Sequence, residues 1–125
     1  MNQFGQRIQF GFGGGLTPVV KKLIIANFAI YFLQWITQGF GSPLEKYFAL
    51  VPAQVTSGLA FWQLVTYQFL HSVPDVLHIL FNMFALWMFG GEVERSLGSK
   101  QFLKYYLFTG IGAGIFYTLF NWNST

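Results

Sequence analysis

Hydrophobic positions along the chain gather into three long runs, separated by segments in which glycine, proline and charge recur. The first run, LIIANFAIYFLQWITQGF from Leu23 to Phe40, carries no charge. As a helix it would rise about 27 Å, close to the hydrocarbon thickness of a bilayer, which predicts a membrane span over 23–40. A cleaved signal peptide is the competing reading, with Lys21 and Lys22 as its basic region and Gly39-Phe40-Gly41 as a small-residue site. From Ser42 to Val73 the apolar residues come in short clumps broken by Pro43, Pro52 and Gly58. That pattern predicts a first loop lying on the membrane surface. Trp62 and Tyr67 suit the headgroup region, and Phe48, Leu50, Val51, Leu59 and Phe61 are expected to bury in the acyl boundary or against the protein.

The second run, VLHILFNMFALWMF from Val76 to Phe89, stops at Gly90-Gly91. Ahead of it, Ser72 fits an N-cap, Asp75 supplies an acid three residues on, and Pro74 is tolerated in a first turn, which predicts a span over 73–90. Its apolar stretch rises only about 21 Å, so this helix must use its first turn, thin the bilayer or be sheltered by neighbours. The third run predicts a span over 102–121, where Gly110 and Gly114 form a GxxxG step that lets another helix approach closely. Residues 1–22, rich in glycine and without apolar period, read as a mobile cytoplasmic tail. The expected fold is all-α, a polytopic transmembrane bundle of three spans filling 23–125.

Composition narrows the class. The 125 residues are 54% hydrophobic, 21% aromatic and only 9% charged, where an ordinary soluble domain carries about a quarter charged. Disorder, collagen and coiled coil are excluded, and the bilayer becomes the expected partner. With no cysteine, disulfides, thiol nucleophiles and thiolate metal sites are excluded as well. The cations form no basic stripe interleaved with aromatics, so no nucleic acid is expected. They sit instead on alternate sides of the spans: Arg7, Lys21 and Lys22 before the first, Arg95, Lys100 and Lys104 between the second and third, Lys46 alone in the first loop. That asymmetry predicts a cytoplasmic N-terminus. Asn123-Ser124-Thr125 matches a glycosylation acceptor pattern and is given no role.

Two hydrogen-bonding side chains interrupt the second run. His78 and Asn82, four residues apart among Leu, Ile, Phe and Met, fall on one helix face one turn apart, and Ala85 and Phe89 continue the stripe. His71 joins that face if the helix starts early and sits in a loop if Pro74 delays it. Three readings are open: packing glue between helices, a metal site with Asp75 as third ligand, and a reaction or transport site. His and Asn both present N–H groups suited to a developing oxyanion.

FLHSVPDVLHILFNMFALWMFGGEVERSLGS, from Phe69 to Ser99, resembles the region around the second transmembrane helix of rhomboid intramembrane serine proteases. The resemblance rests on H-x-x-x-N followed in order by G-x-x-E-x-x-x-G, here Gly91, Glu94 and Gly98, and on Phe61-Trp62-Gln63-Leu64-Val65-Thr66, similar to the family's tryptophan-arginine motif. It implies that His78 and Asn82 help form the oxyanion hole and that His71 supports the loop and water access. It further implies that Trp62 and Thr66 anchor the first loop, that Glu94 holds the turn between the second and third spans, and that Gly110 and Gly114 are packing positions. Two departures stand out: six residues separate His71 from His78 where the family has four, and Gln63 replaces arginine.

The family's G-x-S-G serine and its histidine base have no counterpart in this sequence. Ser72 beside His71 reads as a cap candidate. The expectation is therefore the N-terminal part of a rhomboid protease of a bacterial inner membrane, cutting transmembrane proteins, inactive alone and completed by C-terminal helices, with no cofactor or metal. The alternatives are a catalytically inactive rhomboid-like binding module and a transporter fragment.

Overall fold

The structure, a computed structural model, describes residues 16–122. Most of the expected glycine-rich tail, residues 1–15, and the Asn123-Ser124-Thr125 pattern lie outside the described residues. From Pro18 on, the remainder of that tail is helical. Pro18 opens α1, Pro18–Ile36, because its fixed φ and missing N–H suit the first position of a helix. The helix thus starts ahead of the apolar run and takes Lys21 and Lys22 into its first turns. It ends at Ile36, short of the expected Phe40, where a 3₁₀ turn over Gln38–Phe40 and a left-handed Gly41 redirect the chain.

The first loop folds into three short helices, α2 (Pro43–Phe48), α3 (Pro52–Gly58) and α4 (Gln63–Thr66), the last running on as a 3₁₀ turn over Tyr67–Phe69. Proline starts α2 and α3, for the reason it starts α1. Val55, Ala60 and Gln63 are buried in this unit, whereas Phe48, Leu59 and Phe61 are exposed rather than packed against the protein.

The second span departs most from expectation. Helix α5 covers Val76–Leu97, 22 residues that rise about 33 Å, so it is long enough without thinning the bilayer. Gly90-Gly91 does not stop it; a π-helical turn over Leu86–Gly90 carries the helix through. Gly90 answers a packing demand instead, since a Cβ there would fall 2.9 Å from Leu86 Cδ1 and 3.1 Å from Val20 Cγ2. The helix ends at Gly98, whose φ of +88° and ψ of 155° are accessible essentially only to glycine. That single residue joins α5 to α6, Ser99–Phe120. Among the described residues, α1 and α5 are long and apolar enough to cross a membrane. Helix α6 is equally long, but Lys100, Gln101 and Lys104 dilute its apolar character.

The long helices alternate in direction. The start of α1 meets the end of α5, where Val19 and Val20 bond Glu94, and the end of α1 meets the approach to α5, where Gln34 bonds His71. The apolar core lies at the first of these ends, with Val20, Leu23 and Phe102 packed among Leu86, Val93 and Tyr106. Large side chains such as Phe32, Trp35, Phe81, Phe108 and Phe116 face outward, a distribution suited to hydrocarbon as solvent.

The GxxxG step packs against the first loop and not against another long helix. A Cβ on Gly110 would collide with the Gln68 carboxamide, and one on Gly114 would lie 3.0 Å from the Tyr67 ring. Tyr67 donates its hydroxyl to Gly110 O at 2.6 Å, and Gln68 Nε2 bonds Leu107 O at 3.3 Å. Gly110→Ala is expected to cost about 1–3 kcal/mol by overpacking. In a Gln68→Ala background most of that cost should vanish, because the obstructing amide is gone. Melting of the four proteins of this cycle in detergent checks it; equal costs in both backgrounds would contradict the contact.

Candidate active site

Asp75 fixes the start of α5. Its Oδ1 accepts the His78 backbone N–H at 3.2 Å, making it the N-cap in place of the expected Ser72. Pro74 therefore precedes the helix, within the turn over residues 72–75. Ser72 instead offers its carbonyl to the Asp75 N–H at 3.2 Å. His71 consequently sits in a loop, yet its ring comes to 5.4 Å from the His78 ring, edge to face.

The two imidazoles differ in surroundings. His71 is buried and His78 exposed. Burial, and after it the nearby His78, holds the His71 imidazole below its ordinary pKa, against a smaller pull from the Phe69 backbone. A cavity of about 800 Å³ opens between the first loop and α6, lined by Gln34, Glu45, His71, Ser72, His78 and Tyr117 among others. Asn82, one turn along α5, borders an adjoining cleft of about 410 Å³ with Asn27, Gln68 and His71. Neither the His78 ring nor the Asn82 amide is hydrogen-bonded to another described residue. Both remain open donors at the rim of a space, with His71 bordering each cavity.

Among the described residues, no group of three His, Cys, Asp or Glu side chains gathers to hold a metal. Asp75, the candidate third ligand, is engaged as a cap.

The other residues singled out by sequence brace this arrangement. Trp62 Nε1 donates to Tyr47 O at 2.8 Å and Thr66 Oγ1 to Phe48 O at 2.7 Å, so α4 holds the end of α2. Gln63, standing where arginine was expected, is fully buried. Its Oε1 accepts the Val51 N–H at 2.9 Å and its Nε2 donates to Gln54 Oε1 at 2.8 Å. A neutral amide satisfied on both sides avoids the desolvation cost of an interior charge. Burial also raises the pKa of Tyr67, keeping its hydroxyl a donor to Gly110.

Glu94, 2% exposed, does more than hold the α5–α6 turn. Its carboxylate accepts the Val19 N–H at 2.9 Å, the Val20 N–H at 3.0 Å and the Ser99 hydroxyl at 2.6 Å. Helix α1 has no acidic residue in its first turn and no side-chain cap, so a residue 75 positions away caps it. Gly91 is buried beside Arg95 and Thr17, and Gly98 supplies the turn.

Sequence reasoning missed the polar stripe of α1. Gln34 Nε2 donates to His71 O and to Glu45 Oε2, both at 2.7 Å, and Tyr31 donates its hydroxyl to Val73 O at 2.6 Å. The signal was present: Tyr31 and Gln34 share one face of an otherwise apolar helix, and Gln38 follows in the 3₁₀ turn after it.

The rhomboid domain family model matches residues 58–125, more than half of the chain. The rhomboid protease GlpG of Yersinia pestis (strain Pestoides F) is 30% identical over 104 residues, covering 83% of this chain and 36% of that protein. GlpG of Yersinia pseudotuberculosis (serotype O:3, strain YPIII) matches with the same figures. Rhomboid protease AarA of Providencia stuartii is 30% identical over 121 residues, 92% of this chain and 41% of that protein. The chain thus spans about two fifths of the length of these curated relatives. No solved structure matches significantly. The matched segment contains the His71–His78 pair, Asn82, Glu94 and both packing glycines, and with it the chain belongs to the rhomboid family.

Proposed function

We propose that this chain is the N-terminal part of an intramembrane serine endopeptidase that cleaves transmembrane segments, contributing the oxyanion-stabilising half of the active site. The observation that carries this reading is the pair His78 and Asn82: two N–H-bearing side chains one turn apart on α5, unbonded to other described residues and bordering cavities shared with His71. When a hydroxyl attacks a peptide carbonyl, negative charge grows on the carbonyl oxygen, and donors held in place by a rigid helix stabilise it without reorganising. The nucleophile also needs an adjacent base, which takes its proton and passes it to the leaving amine. Serine and base come from helices C-terminal to this chain. No cofactor or metal is called for by this chemistry.

The protein is a multi-pass protein of a bacterial inner membrane with its N-terminus in the cytoplasm. Supporting this, Lys21, Lys22, Arg95, Lys100 and Lys104 converge at the end of the bundle where α1 begins, α5 ends and α6 begins, while Lys46 lies in α2 in the first loop.

The test is cleavage of a fluorescent transmembrane peptide in liposomes, by this chain and by the full-length protease carrying the serine- and histidine-bearing helices. The chain alone should be silent and the full-length form active. Turnover by the chain alone, or silence of a folded full-length form, would sink the proposal.

A further inference from the structure

Gln34 is an amide in the last turns of an apolar helix, and it is 0% exposed. A buried carboxamide is costly unless its groups are paired. Here Nε2 donates to His71 O at 2.7 Å and to Glu45 Oε2 at 2.7 Å, while Oε1 accepts the His71 N–H at 3.1 Å. The carbonyl and the N–H of one residue are thereby gripped by one side chain, as a neighbouring strand would grip them. The amide has one workable orientation. Reversed, it would set N–H against N–H at His71 and oxygen against both the His71 carbonyl and the Glu45 carboxylate.

Glu45 reinforces that orientation and is itself held by Gln38 Nε2 at 3.2 Å. One turn earlier on the same face, Tyr31 fixes the carbonyl of Val73. With the loop pinned at 71 and 73, and Asp75 capping the helix, little freedom remains between His71 and His78. A backbone fixed at His71 fixes its Cα–Cβ direction, and hence where its ring meets the His78 ring.

We propose that Gln34 is a positioning residue: its carboxamide, oriented by Glu45, holds the His71 backbone so that the His71 ring sets the His78 ring at the cavity. This rests on the oxyanion role proposed for His78. Gln34 acts through another residue and touches no reacting atom.

The test uses Gln34→Leu, which keeps most of the volume and removes the clamp, and the exchange Gln34→Glu with Glu45→Gln. The exchange restores a carboxylate–amide pair and an acceptor for the His71 N–H. In this chain in lipid nanodiscs, NMR of Gln34→Leu should show the His71 imidazole titrating closer to its ordinary value and its proximity to the His78 ring lost. Gln34→Glu alone should do the same through repulsion from Glu45, and the exchange should recover only part of the native behaviour, because a carboxylate at 34 accepts the His71 N–H but offers no donor to the His71 carbonyl. In the full-length protease, Gln34→Leu should lower kcat about tenfold with KM within about twofold, as expected for a misplaced group.

An unchanged His71 titration in Gln34→Leu would overturn the clamp, whatever His78→Ala does. A lower melting temperature with unchanged kcat would overturn positioning in favour of a purely structural role. Loss of kcat in Gln34→Leu with none in His78→Ala would leave the clamp standing and remove the oxyanion reading.

Discussion

His78→Ala in the proposed full-length protease is expected to lower the cleavage rate by about 10²–10³-fold, the usual consequence of deleting one oxyanion donor. The loss should fall on kcat, because charge on the substrate oxygen appears only in the transition state. Asn82→Ala should act in the same direction. The double variant should lose less than the product of the two, since donors serving one oxygen act as a unit. Stability of this chain should hardly change: both side chains are exposed in it and hydrogen-bonded to no other described residue, and such replacements ordinarily fall within about 0.5 kcal/mol. Initial rates in liposomes, with melting curves of this chain carrying the same substitutions, check both parts. Unchanged turnover in both single variants would remove the oxyanion assignment.

Glu94→Ala should have the largest effect on folding. The substitution leaves the N–H groups of Val19 and Val20 and the Ser99 hydroxyl without their acceptor, in a region where α1 supplies no cap of its own. The buried Val20 N–H left unsatisfied costs about 1–3 kcal/mol and the part-buried Val19 N–H and Ser99 hydroxyl about 1 kcal/mol each, so roughly 3–5 kcal/mol is expected in total, against about 5–15 kcal/mol for a typical domain. Glu94→Gln can keep both backbone N–H groups on its amide oxygen and donate its amino group to the Ser99 hydroxyl, so it should recover about half of the loss. Ser99→Ala removes a single bond and should cost about 1 kcal/mol. Unfolding midpoints in detergent rank the three variants, and hydrogen exchange should report lost protection at Val19 and Val20. A Glu94→Ala protein as stable as the parent would refute the capping role.

Much of the fold was legible because its signals are local. Three apolar runs announced three long helices, and the short clumps between Ser42 and Val73 announced a first loop expected on the membrane surface, which the structure folds into three short helices. His78 and Asn82 stood out because four-residue spacing on an apolar helix is a face, whatever surrounds it. Gln34 and Gln38 have the same spacing, yet in the sequence they blend into a uniform uncharged span. A glutamine near the end of a membrane helix equally suits the interface, so only the partner identifies it. Gly90-Gly91 misled for a related reason. Glycine ends helices where a left-handed residue is needed, and it sits inside them where another chain must come close. The sequence looks alike in both cases, and Gly98 was the terminator.

The sequence by itself determined the class, the apolar runs, the oxyanion candidates and the resemblance to rhomboids, since each depends on residues a few positions apart. Tertiary structure alone decided that Glu94 caps α1, that Gln34 holds His71, that Gly110 receives the first loop, and that His71 meets His78 across the two extra residues. These pairings join residues separated by as many as 75 positions, as for Val19 and Glu94. A buried amide or carboxylate must find a partner wherever packing brings one, and periodicity carries no record of which it will be.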